Sequence, residues 1–394
     1  MDQASVGSRL RTLRKLRGLT QHQLAGRTHF STSLVKKIEQ GSVPPSSAFV
    51  ANVARVLGVK PAHLYGTDER DAAEAPRVEN GGIGELRAAL DAWDDPRPEG
   101  DPLTLDQIAR RLTVIGDHVY GTRALDGGHE LANLFHHLFL LADRPDHRGA
   151  RARAALWDGY RIAASLAGRF RQFDLAAIAS ERHVQLAPAT DDPLRVAVSA
   201  YHRSTRHLQF GDFRAGLRAL DRARAYLDTT PAGRAVEIQL DLRSAVLAAR
   251  SGDVSEADGF IAEARRITAD QRTPLAAPYP NIDASPLNIA VHWCAVPVEN
   301  YDSAEAVRRA RQVQIVDRTR PERVAHHHID MARAWLLYGD RDQVLANLNT
   351  ARRTLPAETR RHPAVRETVL ALAESDRRTT DSLASFARWA GIDL

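Results

Sequence analysis

A helical repeat in the second half of the chain restricts the possible folds more than any other feature of the sequence. From about position 153, an apolar helical stretch, a short polar turn and a second helical stretch with small residues at fixed offsets recur about every 40 residues. The turns contain Asp174, Gly211-Asp212, Gly252-Asp253 and Gly339-Asp340, with a weaker copy at Tyr301-Asp302. Gly-Asp suits a tight connection, and small residues allow two helices to approach closely. The pattern therefore predicts a series of helical pairs.

The class of fold follows from the same periodicity. No stretch of the chain has the alternation of apolar and polar residues that is typical of strands, so we predict an all-α fold. The repeats resemble divergent tetratricopeptide repeats, with a spacing longer than the standard one. This resemblance implies an α-solenoid of helical hairpins at 153–394, preceded by a helical connecting region at 83–152. Such arrays curve and leave a concave groove suited to peptides or small ligands.

The positive charge of the chain is concentrated near its start. Residues 1–65 contain ten Lys or Arg and two acids, a net charge of +8, which leaves −3 for the remainder of a chain whose total is +5. This distribution is typical of a nucleic-acid-binding head on a non-binding body, and a solvated basic surface without a partner is the alternative. Residues 67–82 are rich in acids, Ala, Pro and Gly and lack an apolar period. We interpret them as a linker, either a tether or a fraying extension of a helix.

The first 66 residues, which we call the head, are predicted to form five short helices. Apolar residues at helical spacing are interrupted by Gly18, Gly41 and Gly58, and a Ser or Thr that can cap a helix precedes the second, third and fourth helices. The second and third helices are joined by a three-residue turn at 28–30. Two short helices joined in this way, with polar residues on the outer face of the second, form a helix-turn-helix.

The same residues carry a resemblance to a known family. The head resembles the Xre or lambda-repressor-like DNA-binding domains over residues 8–65, which implies a five-helix domain at 1–66 and a sequence-specific, DNA-binding transcriptional regulator. The matching residues are Leu19, Thr20, Gln21, Leu24, Ala25, Ser31, Val35, Ile38, Glu39, Gly41, Pro45, Leu57, Gly58 and Val59.

The resemblance also implies roles for the polar residues of the head. Positions at the start of the third helix face base edges in the major groove, where Lys37 could bind guanine and Thr32 a thymine methyl or a phosphate. Gln21 matches a position that binds a DNA phosphate. Contacts of the two lysines with phosphate or solvent alone are the alternative. The predicted DNA-binding residues are Gln21, Ser31, Thr32, Ser33, Lys36 and Lys37.

Other positions of the head are predicted to be structural. Arg14 and Glu39 occupy positions that pair in the family, so we expect a salt bridge between the first and third helices. His29 stands where the family usually has a Gly in a left-handed conformation, so we expect a slightly strained turn. Apolar residues that share a helical face form the predicted core, namely Leu24, Ala25, Val35, Ile38, Phe49, Val53 and Leu57.

The whole arrangement resembles a large group of actinobacterial regulators and, more distantly, the peptide-pheromone sensors of Gram-positive bacteria. Segments 288–292 and 328–333 resemble recurring segments of the actinobacterial group. The resemblance implies a homodimer that binds a roughly palindromic double-stranded DNA operator and senses a peptide or small-molecule effector. A protein–protein adaptor, whose head only localises it or no longer binds DNA, is the alternative. Polar or aromatic residues in first-helix positions of the repeats are predicted to line the ligand groove, namely Arg161, Tyr201, Asn288, His292, His326 and Asp330.

Catalytic chemistry is not expected in this chain. All four lysines lie in the head, so the body lacks the base of the Ser-Lys dyad with which some repressors of this family cleave themselves. Motifs of the HExxH, GxSxG and lysine-containing phosphate-loop types are missing. The adjacent histidines at 326–328 point in different directions around a helix and cannot all bind one metal. We therefore predict no enzyme activity, no cofactor and no metal.

The sequence also predicts where the protein acts. No apolar run is long enough to span a membrane, and the first residues lack the apolar stretch of a signal peptide. We expect a cytoplasmic protein that is associated with the nucleoid when bound to DNA. A single cysteine, Cys294, excludes an internal disulfide, and we interpret it as a buried apolar residue rather than a redox sensor.

Overall fold

The structure is a computed structural model that describes residues 5–66, 82–120, 127–170, 172–270, 275, 279, 281–315, 320–375 and 381–392. All regular secondary structure in these ranges is helical, which confirms the predicted all-α class. The predicted linker at 67–82 lies outside the described residues except for Gly82, whose backbone precedes a helix.

The helices are numbered in chain order. They are α1 (Val6–Leu16), α2 (Gln21–Gly26), α3 (Thr32–Glu39), α4 (Ser47–Leu57), α5 (Pro61–Tyr65), α6 (Ile83–Asp91), α7 (Leu105–Tyr120), α8 (Gly127–Ala142), α9 (His147–Arg169), α10 (Phe173–Leu186), α11 (Pro193–Phe210), α12 (Phe213–Ala223), α13 (Pro231–Arg250), α14 (Val254–Ala269), α15 (Pro286–Glu299), α16 (Ser303–Ala310), α17 (Pro321–Tyr338), α18 (Arg341–Thr354), α19 (Pro356–Arg361), α20 (Pro363–Ser375) and α21 (Asp381–Ala390). Of the helices in these ranges, none is long and apolar enough to cross a membrane.

The chain divides into two compact units. The first comprises 1–68, 204–222 and 228–394, and the second comprises 69–203 and 223–227. In the second unit, helices α6 to α10 pack around a common apolar core that includes Leu86, Phe135 and Leu166. The head thus belongs to the same compact unit as the C-terminal helices.

The head is built as its local sequence signals indicate. Thr20, Ser31 and Ser46 cap α2, α3 and α4, and each side-chain oxygen accepts a hydrogen bond from a backbone N–H in the first turn of its helix. Gly58 ends α4 in the left-handed conformation, with φ of 66°. The seven predicted core residues are all buried. The apolar faces of the five helices therefore close around one small core.

The turn between α2 and α3 differs from the expected one. His29 does not have the positive φ of the left-handed region. The N–H of Arg27 donates to the carbonyl of Leu24 at 3.2 Å, and the N–H of Thr28 donates to the carbonyl of Ala25 at 3.0 Å. Because these bonds complete the end of α2 without a left-handed residue, the prediction of a strained backbone at His29 is wrong.

The C-terminal helices of the first unit form successive pairs. Helix α13 packs on α14, α15 on α16, and α17 on α18. Each connection uses a residue with positive φ followed by an Asp that caps the next helix, as at Gly252 (φ 88°), Tyr301 (φ 61°) and Gly339 (φ 99°). The predicted Gly-Asp turns thus have a physical basis in backbone conformation and capping. The assignment of these pairs to the tetratricopeptide class stays a prediction.

Candidate nucleic-acid interface

Helix α3 has one face in the core of the head and another that is open to solvent. Val35 and Ile38 are buried, and both lie on the inner face. The outer face of α3 carries two exposed pairs of residues one helical turn apart, Thr32 with Lys36 and Ser33 with Lys37. The capping residue Ser31 is exposed beside them. The residues predicted to bind DNA on this helix are therefore adjacent to one another and accessible.

Helix α2 supports α3 from one side. Thr20 and Gln23 form a capping box, in which the N–H of Gln23 donates to Thr20 Oγ1 at 3.1 Å and the N–H of Thr20 donates to Gln23 Oε1 at 2.8 Å. Leu24 and Ala25 are buried against the core. The capping box fixes the start of α2, a helix of only six residues.

A buried ion pair joins α1 to α3. Arg14 donates from Nε to Glu39 Oε1 at 2.5 Å and from Nη2 to Glu39 Oε2 at 2.8 Å. Burial disfavours the charge of Glu39, but the hydrogen bonds from Arg14 and Gln21 outweigh burial, so the pKa of this carboxyl lies below its ordinary value. Arg14 also donates to the carbonyl of Leu19 at 2.7 Å. One guanidinium thus connects the end of α1, the start of α2 and the end of α3.

Gln21 has a structural contact that the sequence did not indicate. Its Nε2 donates to Glu39 Oε2 at 2.8 Å. A carboxamide carries two N–H donors, so one donor is still available to a phosphate. The contact of Gln21 with a DNA phosphate stays a prediction, and its bond to Glu39 orients the side chain at the start of α2.

The surface around α3 is cationic. Within residues 5–66 the sole acid is Glu39, which is 4% exposed and accepts three hydrogen bonds from Arg14 and Gln21. The exposed cations around the helix-turn-helix make no ion pair with any acid in the described part of the chain; they are Lys15, Arg17, Arg27, Lys36 and Lys37. No acid within residues 5–66 pairs with them, which favours the approach of a polyanion.

The six predicted groove residues are divided between the two units. Arg161 and Tyr201 belong to the second unit, and the other four belong to the first. Arg161 is 5% exposed and donates from Nε to Asp158 at 2.8 Å. Tyr201 is also buried. These two side chains pack inside their unit rather than line an open surface.

The four groove candidates in the first unit have varied surroundings. Asn288 is fully buried and donates from Nδ2 to the carbonyl of Asp283 at 2.7 Å. His292 is half-buried, and its Nδ1 lies 2.8 Å from the carbonyl of Asn288. His326 is exposed, with its ring 5.3 Å from that of His362. Burial, together with nearby Glu299, raises the pKa of Asp330 to about 6. Their role in ligand binding stays a prediction.

An open cleft lies elsewhere, between α7 and α9 of the second unit. Its volume is about 320 Å³, which is at the lower end of the range for small-molecule sites. Arg151 at its edge already pairs with Asp106 at 2.6 Å. The described lining residues are Leu105, Ala109, Arg151, Ala154, Ala155 and Arg195, and none of the predicted groove residues is among them.

Cys294 and His183 are buried inside the fold. No cluster of three or more potential metal ligands is present among the described residues. Cys294 is fully buried, and burial raises the pKa of its thiol to about 12. His183 is buried, with Nδ1 at 2.8 Å from the carbonyl of Trp157 and Nε2 at 3.0 Å from Nδ1 of His202. Burial lowers the pKa of His183 to about 4.

Comparisons with known proteins agree with the geometry of the head. Residues 5–73 match a family model described as a helix-turn-helix domain. The immunity repressor protein of Bacillus phage phi105 is 30% identical over 129 residues, which cover 31% of this chain and 90% of the repressor. The uncharacterized HTH-type transcriptional regulator YazB of Bacillus subtilis strain 168 is 38% identical over 59 residues, which cover 15% of this chain and 86% of YazB. No solved structure gives a significant match. The chain therefore belongs to the Xre-like family of helix-turn-helix transcriptional regulators.

Proposed function

We propose that this DNA-binding regulator recognises its operator with the outer face of α3, placed in the major groove. The observation that carries the proposal is the exposure of Thr32, Ser33, Lys36 and Lys37 on one face of a capped helix whose other face is held in the core. A helix of this width fits the major groove, where each base pair presents its own pattern of donors and acceptors. The head supplies few acids to oppose the approach of DNA.

Each residue of this face has a role that follows from its chemistry. Lys37 donates to N7 and O6 of guanine, and Thr32 contacts a thymine methyl or a phosphate. Ser31, Ser33 and Lys36 add polar contacts to bases or phosphates. Gln21 binds a phosphate with its second N–H, so that α2 fixes the position of α3 on the duplex.

Substitutions at this face test the proposal. We expect Lys37→Ala and Thr32→Ala to weaken binding to the operator by about 1 to 3 kcal/mol, with a smaller loss on unrelated DNA. Lys60→Ala is the matched control, because Lys60 is exposed and precedes α5 rather than lying on α3. It removes the same charge and should weaken all sequences slightly and equally. Equal losses on every sequence for Lys37→Ala would reduce that lysine to a phosphate contact.

We also propose that the protein acts as a homodimer on a roughly palindromic site. One head contacts too few base pairs for useful specificity, so two heads are required. Footprinting on the promoter region of the protein's own gene would locate the operator and, in the same experiment, test whether the protein binds it as a dimer. Two protected half-sites about one helical turn apart are expected. No protection at all would favour the adaptor function.

The remaining helices are proposed to sense a peptide or small molecule. An effector changes DNA binding only if it binds one arrangement of the protein more tightly than another. The open cleft of about 320 Å³ between α7 and α9 is one candidate place for a small ligand, and the predicted groove residues of the first unit are a second. Mass spectrometry of the purified protein, before and after denaturation, identifies any ligand that is retained. We propose no catalytic activity, since the lysines are confined to the head and hydrolase motifs are missing from the sequence.

A further inference from the structure

Three connecting turns of the first unit contact the head. These are the turns at Gly211, Gly252 and Tyr301, which all have positive φ, at 71°, 88° and 61°. A methyl group on Gly211 would lie 2.7 Å from the carbonyl oxygen of Ala51, and one on Gly252 would lie 2.9 Å from the ring of His29. A Cβ atom does not approach other atoms so closely, so the backbone of Ala51 requires glycine at position 211, and a methyl group at position 252 would displace the ring of His29. The fourth turn of this type, at Gly339, has no described atom within 4 Å of such a methyl group.

Tyr301 is the exception among these turns. Its φ of 61° lies in the region that glycine adopts readily and that a bulky side chain adopts at a cost. Its side chain contacts the head, because the hydroxyl accepts a hydrogen bond from the N–H of Ser46 at 2.5 Å and the ring stands edge-on to Phe30 at 6.2 Å. The cost of the backbone conformation is thus offset by contacts that glycine could not make.

Glu299 reinforces the same contact from two residues away. Its Oε2 accepts from the N–H of Ala48 at 3.3 Å, and its Oε1 accepts from Nη2 of Arg250 at 3.1 Å. Asn52, one turn further along α4, donates from Nδ2 to the carbonyl of Arg250 at 3.3 Å. The first N–H groups of a helix lack partners within the helix and favour a negative charge. Glu299 and Tyr301 therefore supply, from the C-terminal helices, acceptors that α4 needs at its start.

The DNA-reading face is not involved in these contacts. Docking at these turns uses the turn before α3 and the first half of α4, and α20 adds a contact after α3, where Glu374 lies beside Gly41. Thr32, Ser33, Lys36 and Lys37 are exposed on the outer face of α3. The head can therefore be docked and read DNA at the same time. Its orientation relative to the C-terminal helices is then fixed during recognition.

We propose that the turns at Gly211, Gly252 and Tyr301 form a docking surface for the head, and that Tyr301 and Glu299 are positioning residues that set the orientation of α3. The occupant of this surface is the segment from His29 to Asn52 of the same chain. A change in the arrangement of the C-terminal helices would move the head with them, which provides a direct route from an effector to the operator. The consequence for DNA rests on the proposed function, but the docking itself does not.

Hydrogen exchange of the full-length protein tests the docking without DNA. Tyr301→Gly keeps the turn conformation and removes the ring and the hydroxyl, so we expect amide exchange at Ser46 and Ala48 to rise at least about tenfold, an effect that corresponds to about 1.4 kcal/mol. Tyr301→Phe removes the hydroxyl alone and should accelerate Ser46 more than Ala48. Unchanged exchange at both amides in Tyr301→Gly would overturn the proposal.

A pair of glycine substitutions separates docking from backbone strain. Gly211→Ala and Gly339→Ala impose the same unfavourable positive φ on alanine, but the first alone brings a methyl group against the head. We expect accelerated exchange in α4 for Gly211→Ala and wild-type exchange in α4 for Gly339→Ala. Equal behaviour of the two variants would contradict the docking surface.

Operators with altered spacing connect the docking to function. With docked heads, insertion of two base pairs between half-sites should reduce wild-type affinity at least about tenfold, and Tyr301→Gly should lose less affinity because its heads are held by fewer contacts. If the wild type fails to bind any operator, the proposed function fails while the exchange data still decide the docking. Equal sensitivity to spacing in both proteins, with accelerated exchange in the variant, would overturn the positioning role.

Discussion

The ion pair between Arg14 and Glu39 leads to a quantitative prediction for the stability of the head. Glu39→Ala removes the acceptor of three hydrogen bonds, two from Arg14 and one from Gln21, and leaves a guanidinium that is 7% exposed without its partner. Removal of one member of a buried pair costs about 3 to 5 kcal/mol, whereas an exposed pair contributes about 0.2 to 1 kcal/mol. The side chain of Arg11, which lies beside the pair, is 48% exposed, so solvent is close to the pair. We therefore expect Glu39→Ala to cost about 3 kcal/mol, the lower end of the range for a buried pair.

Native-state hydrogen exchange of the full-length chain measures this loss where it occurs. The five tryptophans lie outside residues 1–66, so tryptophan fluorescence does not report on the head. The amides of Val35 and Ile38, in the buried face of α3, should lose about 3 kcal/mol of opening free energy in Glu39→Ala. Arg17→Ala, which removes an exposed arginine near the same end of α1, should change them by less than about 0.5 kcal/mol.

A double-mutant cycle provides the refutation. Arg14→Met leaves the carboxylate of Glu39 buried and should cost about as much as Glu39→Ala, while the double variant Arg14→Met/Glu39→Ala removes both charges and should recover part of the loss. We expect a coupling energy of at least about 2 kcal/mol. A coupling below about 1 kcal/mol, the value of an exposed pair, would refute the reasoning that the pair is an internal fastening of the helix-turn-helix.

Two further predictions concern buried titratable groups. The pKa of His183 is about 4 in the folded protein and 6.5 for the free side chain. As the pH falls, the unfolded chain therefore binds a proton at this residue before the folded protein does. The free energy of unfolding should then decrease by about 3 kcal/mol between pH 6.5 and pH 4. Urea unfolding at a series of pH values should show a shallower dependence near pH 5 for His183→Gln than for the wild type, and identical slopes would contradict the assignment. Cys294, with a thiol pKa of about 12, should resist alkylation by iodoacetamide at pH 8 in the folded protein and react within minutes in urea, as followed by mass spectrometry.

The helices and the core of the head were predictable because their signals are local. Ser31 caps α3 and Gly58 ends α4 through interactions with residues no more than four positions away. The helical spacing of apolar residues then places Val35 and Phe49 in the core. The pair of Arg14 with Glu39 was predicted from family positions. The backbone at His29 was not, since hydrogen bonds at the end of α2 made a left-handed residue unnecessary.

Contacts between segments that are far apart in the chain could not be predicted from the sequence. Nothing in the local pattern relates Ser46 to Tyr301, although a tyrosine in a turn that elsewhere has glycine was a signal that could have been used. The groove candidates show a second reason. Arg161 and Asn288 are polar residues in first-helix positions, but both are buried. Arg161 pairs with Asp158, and Nδ2 of Asn288 donates to the carbonyl of Asp283 inside the fold. Periodicity does not distinguish a satisfied buried polar residue from one that faces a groove.

Methylation interference on the footprinted operator tests most directly whether α3 reads the major groove. Methylation of guanine at N7 adds a methyl group in the major groove, where Lys37 is proposed to bind. We predict that methylated guanines within each half-site block binding of the wild type, and that Lys37→Ala loses the sensitivity at one guanine per half-site. Binding that is indifferent to every guanine methylation, and sensitive only to ethylation of phosphates, would contradict the account.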